Sequence, residues 1–210
     1  MSDGSSTWQF TYDADGLRTK KTNGSTTYEY VYNGGQLVYV KSGSDTLRIV
    51  YDGSSPFRLD YNGTAYHYVT NLQGDVIALL DDMGEKVVEY TYDAWGNLLS
   101  ITGEEASTVG IANPLRYRGY CYDVETGLYY LQSRYYDPKM GRFINADTTD
   151  ILGVPGDFYD KNLFAYCDNN PVMRKDVTGH AWETIRILKT SSKINEGADN
   201  AIDTYRRLKS

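Results

Sequence analysis

A Tyr-Asp or Tyr-Asn pair followed by Gly recurs along the first hundred residues and limits the folds open to this chain. Its clearest copy is residues 92–98, and a looser copy begins at Asn71. The Asp or Asn stands at positions 13, 33, 52, 71 and 93, so the steps are 20, 19, 19 and 22 residues. That period is too short for a propeller blade and matches one β-hairpin, which must stack on its neighbours to bury a core.

Each repeat predicts two strands and two turns. Asp or Asn folds its side chain onto the backbone to open a turn, and Gly supplies the positive φ that closes it. Between these turns the side chains alternate with period two, as in residues 27–32 and 37–40. A second turn signal falls in mid-repeat at residues 22–25, 42–45 and 62–63. The alternative is an ordinary sandwich or barrel with chance Tyr-Asp pairs, but four near-equal steps favour one antiparallel strip of hairpins.

Tyrosine content supports an all-β body. The chain has 21 Tyr among 210 residues, against 5 Phe and 3 Trp. Tyr combines a high strand propensity with a flat apolar body and a hydrogen-bonding tip. We therefore predict an all-β fold as far as about residue 145.

The last thirty residues change character at residue 181. Apolar side chains fall there at helical spacing, namely Trp182, Ile185, Leu188, Ala198, Ile202, Tyr205 and Leu208. This pattern predicts a short helical tail over 181–210, after a repeat segment over 1–110 and a distinct segment over 111–180. The tail carries no nuclease or transferase constellation. It is the start of a truncated toxin, a helical peptide packed on the body, or a partner-binding helix.

Charge and composition exclude several classes of protein. The net charge is −7 and the isoelectric point about 4.8, whereas a nucleic-acid binder shows a basic surplus. No apolar run is long enough to span a bilayer, and we expect no signal peptide in this chain. The two histidines, His67 and His180, are far apart in sequence, and neither Cys121 nor Cys167 lies in a CxxC motif or near a pair of histidines. Metal chemistry and Cys–His catalysis are therefore poor hypotheses. We expect no cofactor, and the sequence leaves open whether the cysteines pair.

The repeat and a long motif behind it resemble the Rhs and teneurin families. The pattern Tyr-Asp-x-x-Gly-x-Leu resembles their YD repeat, and the motif resembles the Rhs repeat-associated core. The core motif lies in residues 114–123, 125–138, 141–147, 162–166, 169–172 and 176–179. The resemblance covers roughly residues 10–180, and so long a motif is highly specific.

The resemblance implies a hollow β-shell that holds a C-terminal polypeptide, often a toxin, away from the cell that made it. It thus implies a secreted or cell-surface scaffold, with its own C-terminal segment as cargo and an immunity protein as a further partner. Five repeats cannot enclose a protein-sized cavity, so we expect a piece of a larger protein or a reduced stand-alone member. An alternative function is a Tyr-rich β-surface that binds glycans or a cell-surface partner.

The resemblance also implies self-cleavage by paired carboxylates, of which one holds a proton while the other activates water. The carboxylates it assigns are Asp147 and Asp176, with Asp160 as a third, and Arg142 would be the cation that tunes them. The cut would follow His180, where family members usually carry Leu. A charged His180 would compete with the proton sharing of the carboxylates, so we expect an intact or slowly cut chain.

Overall fold

Ten antiparallel strands form one sheet in which every strand pairs with its sequence neighbours. The structure is a computed structural model that describes residues 7–147, 162–180 and 182–184. The strands are β1 Gln9–Tyr12, β2 Arg18–Thr22, β3 Thr27–Asn33, β4 Gln36–Ser42, β5 Asp45–Asp52, β6 Ser55–Tyr61, β7 Thr64–Thr70, β8 Val76–Leu80, β9 Lys86–Tyr92 and β10 Leu98–Thr102. The predicted strip of hairpins is confirmed.

The YD turns are of two kinds. At Asp13, Asn71 and Asp93, Oδ1 accepts the backbone N–H groups two and four residues further on, at 2.9 to 3.0 Å. The β3–β4 and β5–β6 connections are instead tight two-residue turns in which Gly34, Gly35 and Gly53 have positive φ. Both kinds reverse the chain at the same end of the strip, because they alternate with the mid-repeat turns.

A bulge accompanies most of these turns. The register shifts where Tyr12, Tyr32 and Tyr51 precede the Asp or Asn, and again at Thr70. A bulge bends its strand and increases the local twist. Repeated at the same end of the strip, the bulges curve the sheet so that distant turns reach one common neighbour.

That neighbour is a second, four-stranded sheet of residues 121–143. Its strands are β11 Cys121–Asp123, β12 Leu128–Leu131, β13 Arg134–Asp137 and β14 Arg142–Phe143. Tyr130 donates its hydroxyl hydrogen to Gly16 O at 3.2 Å, while Tyr129 donates to Gly96 O at 2.8 Å. The second sheet therefore holds both the first and the last YD turn of the strip.

Burial of Tyr, Leu and Val between the two sheets provides the main core. It joins inward residues of the strip, such as Leu59, Leu79 and Val88 at 0% exposure, to Leu128 and Tyr130 of the second sheet. Each fully buried aliphatic side chain contributes about 1.5–3 kcal/mol. The alternation read from the sequence thus marks the face that meets the core.

The C-terminal part of the described chain corrects the helical interpretation in one place. Residues Trp182–Thr184, which the helical spacing assigned to the tail, form strand β16 and pair with β15 Arg174–Asp176. The hydrogen-bond pairing of an adjacent strand outweighs helix formation at this end. The rest of the predicted tail helix, 185–210, lies outside the described residues. A single helical turn, α1 Val109–Ala112, links the two sheets.

Two buried ion-pair groups cross the contact between the sheets. Asp123 receives two hydrogen bonds from Arg18, at 2.5 and 3.0 Å, and one from Lys21 at 3.0 Å. Asp75 of the strip accepts from Arg118, a residue just before the second sheet, at 3.1 Å. All five side chains are buried. Buried charges of this kind are tolerated only as pairs, so these groups fix where the second sheet sits.

Within the described residues, no helix is both long and apolar enough to cross a membrane.

Candidate functional site

Two of the predicted carboxylates meet at one buried arginine. Asp147 follows β14, and its backbone N–H donates to Leu163 O at 3.1 Å. Asp176 ends β15, and its backbone N–H donates to the Tyr120 hydroxyl at 3.0 Å. Between them lies Arg134, the first residue of β13. The second sheet and the short hairpin thus bring together residues that are 29 positions apart in the chain.

All three nitrogen atoms of the Arg134 guanidinium contact neighbouring groups. Nη2 lies 2.8 Å from Asp147 Oδ2 and 3.3 Å from Asp176 Oδ2. Nη1 donates to Leu163 O at 3.0 Å, and Nε donates to Gly179 O. The guanidinium carbon lies 3.6 Å from the centre of the Phe143 ring. A planar guanidinium with five donors is suited to hold two carboxylates and two carbonyls at once.

Burial shifts the pKa of two members of this group, Asp176 and Arg134. It raises the pKa of Asp176, and the charge of Asp147 adds to that rise, while Gly179 N–H and Arg134 oppose it. Burial also lowers the pKa of Arg134, against the opposing effect of the two carboxylates. Arg134 still carries its charge, because a guanidinium does not deprotonate in proteins. A buried carboxyl group with a raised pKa beside a second carboxylate is the kind of pair that acid–base chemistry by two carboxylates uses.

The chain leading to the predicted cut is held tightly against the second sheet. Gly179 N–H donates to Asp176 Oδ1 at 2.8 Å, and Ser133 donates to Thr178 O through N–H and hydroxyl at 3.2 and 2.8 Å. Gly179 has φ +79°, and a Cβ there would lie 2.7 Å from Leu131 O. Only glycine therefore fits at this approach.

His180 stands next to the site. Its Nδ1 lies 3.7 Å from Asp147 Oδ1, and its side chain is half-exposed. Ala181 lies outside the described residues, so the geometry of the predicted cut bond does too. The side chain of the residue before that bond therefore contacts one of the two carboxylates, Asp147.

Of the other two predicted residues, Arg142 does not join this group. Arg142 is exposed, and its backbone pairs with Asp137 and Ala165 instead. Its place as the cation between the carboxylates is taken by Arg134, because β13 rather than β14 faces Asp147 and Asp176. Asp160 lies outside the described residues.

Sequence reasoning missed Arg134. The available signal was a charged residue in the alternating, Tyr-rich part of the core motif. That part forms a strand that is buried on both faces, so the cation cannot be solvated by water. A charge in such a strand needs a buried partner of opposite sign. That rule predicts a partner but does not identify which of the carboxylates it is.

The remaining chemistry of the described residues is limited. Cys121 and Cys167 are free and buried, which decides the pairing question, and burial raises their pKa to about 11 and about 12. No group of three or more His, Cys, Asp and Glu within the described ranges could hold a metal ion.

Comparison with known proteins identifies relatives of this fold and sequence. The family model described as Teneurin YD-shell matches residues 36–172. The tRNA3(Ser)-specific nuclease WapA of Bacillus spizizenii is 43% identical over 176 residues, which cover 81% of this chain and 7% of that protein. The double-stranded DNA deaminase toxin A of Burkholderia cenocepacia is 33% identical over 104 residues, covering 50% of this chain and 7% of that protein. This chain therefore spans a small part of the curated relatives that it matches.

A solved structure has the same fold. The Photorhabdus luminescens Tc holotoxin pore with the mutation TccC3-D651A aligns with a TM-score of 0.65 and 22% identity. The alignment covers 92% of this chain and 10% of that one.

Proposed function

Because this chain belongs to the teneurin YD-shell family, we propose that it is a shell segment that carries a C-terminal polypeptide cargo and cuts its own chain after His180. The shell fold follows from the family and from the ten-stranded strip. The cargo, the cut and delivery outside the producing cell are the proposal. It is supported by relatives that are named as a nuclease and a deaminase toxin.

The observation that carries the self-cleavage proposal is the contact of Arg134 with Asp147, Asp176 and Gly179 O. In the proposed step, Asp147 takes a proton from water, and the water oxygen bonds to the carbonyl carbon of His180. Asp176, as the protonated member, supplies a proton, and the bond to the nitrogen of Ala181 breaks. The products are a carboxyl group on His180 and a free amino group on the released segment.

Intact mass spectrometry of the purified chain tests this proposal. We expect slow cutting that yields a new N-terminus at Ala181, because His180 replaces the apolar residue of the family pattern. His180→Leu should speed the cutting, since it removes a polar imidazole whose Nδ1 lies 3.7 Å from Asp147 Oδ1. Asp147→Asn and Asp176→Asn should leave the chain whole, because neither amide can exchange the needed proton.

The matched control is Asp52→Asn, which changes an exposed carboxylate on the strip and should cut as the wild type does. A His180→Leu chain that keeps its fold and stays uncut would refute self-cleavage. Complete cutting of the wild type after His180 would confirm the enzyme and refute the expected slowing by His180.

The alternative of a Tyr-rich binding surface has less support. Of the tyrosines in the described residues, Tyr12 alone is exposed, and most of the others belong to the two large core clusters or pack against them. A cut that releases a toxin would in turn imply an immunity protein in the producing cell.

A further inference from the structure

A cleft beside the second sheet holds two cations without ion-pair partners. It has a volume of about 410 Å³ and lies between the turn after β9 and the turn from β13 to β14. Lys139 and Arg142 line it, and both are exposed. Neither side chain makes an ion pair or a hydrogen bond with any part of the chain that the structure describes. In a chain of net charge −7, this is a local excess of positive charge facing a concave surface.

The carboxylates at the cleft are already engaged. Asp93 Oδ1 accepts two backbone N–H groups of its own turn at 2.9 Å, and Oδ2 accepts the Asn97 side-chain amide at 2.7 Å. Asp137 accepts the backbone N–H of Lys139 at 2.8 Å. Because these carboxylates stabilise turns, the side chains of Lys139 and Arg142 remain available to an anion from outside the chain.

Neutral donors and an aromatic ring complete the lining. Asn162 accepts the Phe164 N–H at 3.0 Å through Oδ1, which leaves its amide hydrogens without a partner in the described ranges. Asn169 is exposed and lines the same cleft. Trp95 contributes a flat, half-buried ring. A flat ring beside amides and cations suits a ligand with an apolar ring face, hydroxyl groups and a negative charge.

The walls of the cleft are held in place before any ligand arrives. The Asn97 amide donates to Pro138 O at 3.0 Å, and the Tyr136 hydroxyl donates to Trp95 O at 2.7 Å. Gly141 packs so closely on Trp95 that a Cβ would lie 3.0 Å from the ring. Preorganised walls reduce the entropic cost of binding.

We propose that this cleft is a binding site for an anionic sugar, in which Arg142 and Lys139 contact a carboxylate or phosphate group and Trp95 supports the sugar ring. The site is separate from the carboxylate group at Arg134 and does not depend on self-cleavage. It gives Arg142 a role other than the one predicted for it.

Titration of the full isotope-labelled chain, followed by nuclear magnetic resonance, tests the site with four probes: glucuronic acid, glucose phosphate, glucose and inorganic phosphate. We expect at least one of the two anionic sugars to shift the Trp95 indole N–H signal, and the one that does so identifies the anionic group. Glucose should cause no shift at the same concentration. Arg142→Gln and Lys139→Gln should each weaken the binding by about tenfold.

Arg48→Gln serves as the matched control, because Arg48 is an exposed arginine on β5, distant from the cleft residues in the sheet order. This variant should bind as the wild type does. Equal shifts by glucose, or wild-type binding by Arg142→Gln, would refute recognition of the charge. Inorganic phosphate binding as tightly as glucose phosphate would refute recognition of the sugar. A folded chain that responds to neither anionic sugar would refute the site.

Discussion

At the scale of single residues, the YD motif acts through short-range geometry. Asp93 accepts the N–H groups of Trp95 and Asn97, and Gly96 has φ +87°. The turn also meets the second sheet, because a Cβ on Gly96 would lie 2.6 Å from the Tyr117 ring. One residue thus serves both the turn and the packing of the two sheets.

We expect Gly96→Val to lower the free energy of unfolding by more than about 3 kcal/mol, because it adds a steric clash to backbone strain of about 1–3 kcal/mol. Asp93→Ala should cost about 1–3 kcal/mol, since it leaves the turn N–H groups without their acceptor. Urea unfolding measures both changes.

The matched control is Gly24→Val, at φ +92° with no atom within 4 Å of the added Cβ. This variant should lower the free energy of unfolding only by the backbone strain, about 1–3 kcal/mol. If Gly96→Val were no worse than Gly24→Val, the clash with Tyr117 would be the wrong explanation.

At the scale of elements, pairing decides what a local pattern becomes. Trp182–Thr184 has helical spacing with the residues that follow, yet it forms a strand against Arg174–Asp176. Three residues are too few to form a stable helix by themselves, because the first turn of a helix is unfavourable to form. Pairing with an adjacent strand provides hydrogen-bond partners for the backbone N–H and C=O groups of these residues at a lower free-energy cost.

We expect the helix predicted for the tail to lie within 185–210. Circular dichroism of the full chain should be dominated by β-structure, with a small helical contribution that disappears when residues 185–210 are deleted. The deletion should leave the melting temperature within a few degrees of the full chain if the body folds without the tail. A spectrum dominated by helix would contradict the all-β body, and an unchanged spectrum after deletion would contradict the tail helix.

At the scale of the whole molecule, buried charge joins the first hairpin to the second sheet. Arg18 is 0% exposed, and its guanidinium lies 4.7 Å from the Tyr30 ring centre and 4.6 Å from that of Tyr130. Asp123 pairs with both Arg18 and Lys21, and Lys21 also pairs with Glu125. These partners are about a hundred residues apart, so they pair only when the first hairpin packs against the second sheet.

Asp123→Ala should lower the free energy of unfolding by about 3–5 kcal/mol, because it leaves two buried cations without their common partner. Limited proteolysis should then cut first in the β1–β2 hairpin. Asp15→Ala, an exposed acidic residue of that hairpin, should change neither measurement. An Asp123→Ala chain as stable as the wild type would show that apolar packing alone holds the first hairpin.

The sequence by itself determined the features that depend on neighbours a few residues away. The period, the alternation and the turn residues specify hairpins, because an Asp side chain or a glycine φ acts within four residues. The family resemblance also predicted that Asp147 and Asp176 act as a pair, and both lie beside Arg134. It could not place Arg142, since which strand faces a carboxylate depends on how two sheets pack.

Only the tertiary structure decided the contacts between distant segments. It placed Arg134 between the carboxylates, kept Cys121 and Cys167 apart as free thiols, and paired Arg18 with Asp123. A charged residue within a strand that is expected to be buried predicts an ion-pair partner of opposite sign. The sequence contains many carboxylates that could be this partner. The choice among them is made by the curvature of the strip, which brings residues a hundred positions apart into one desolvated space where only a matched pair is stable.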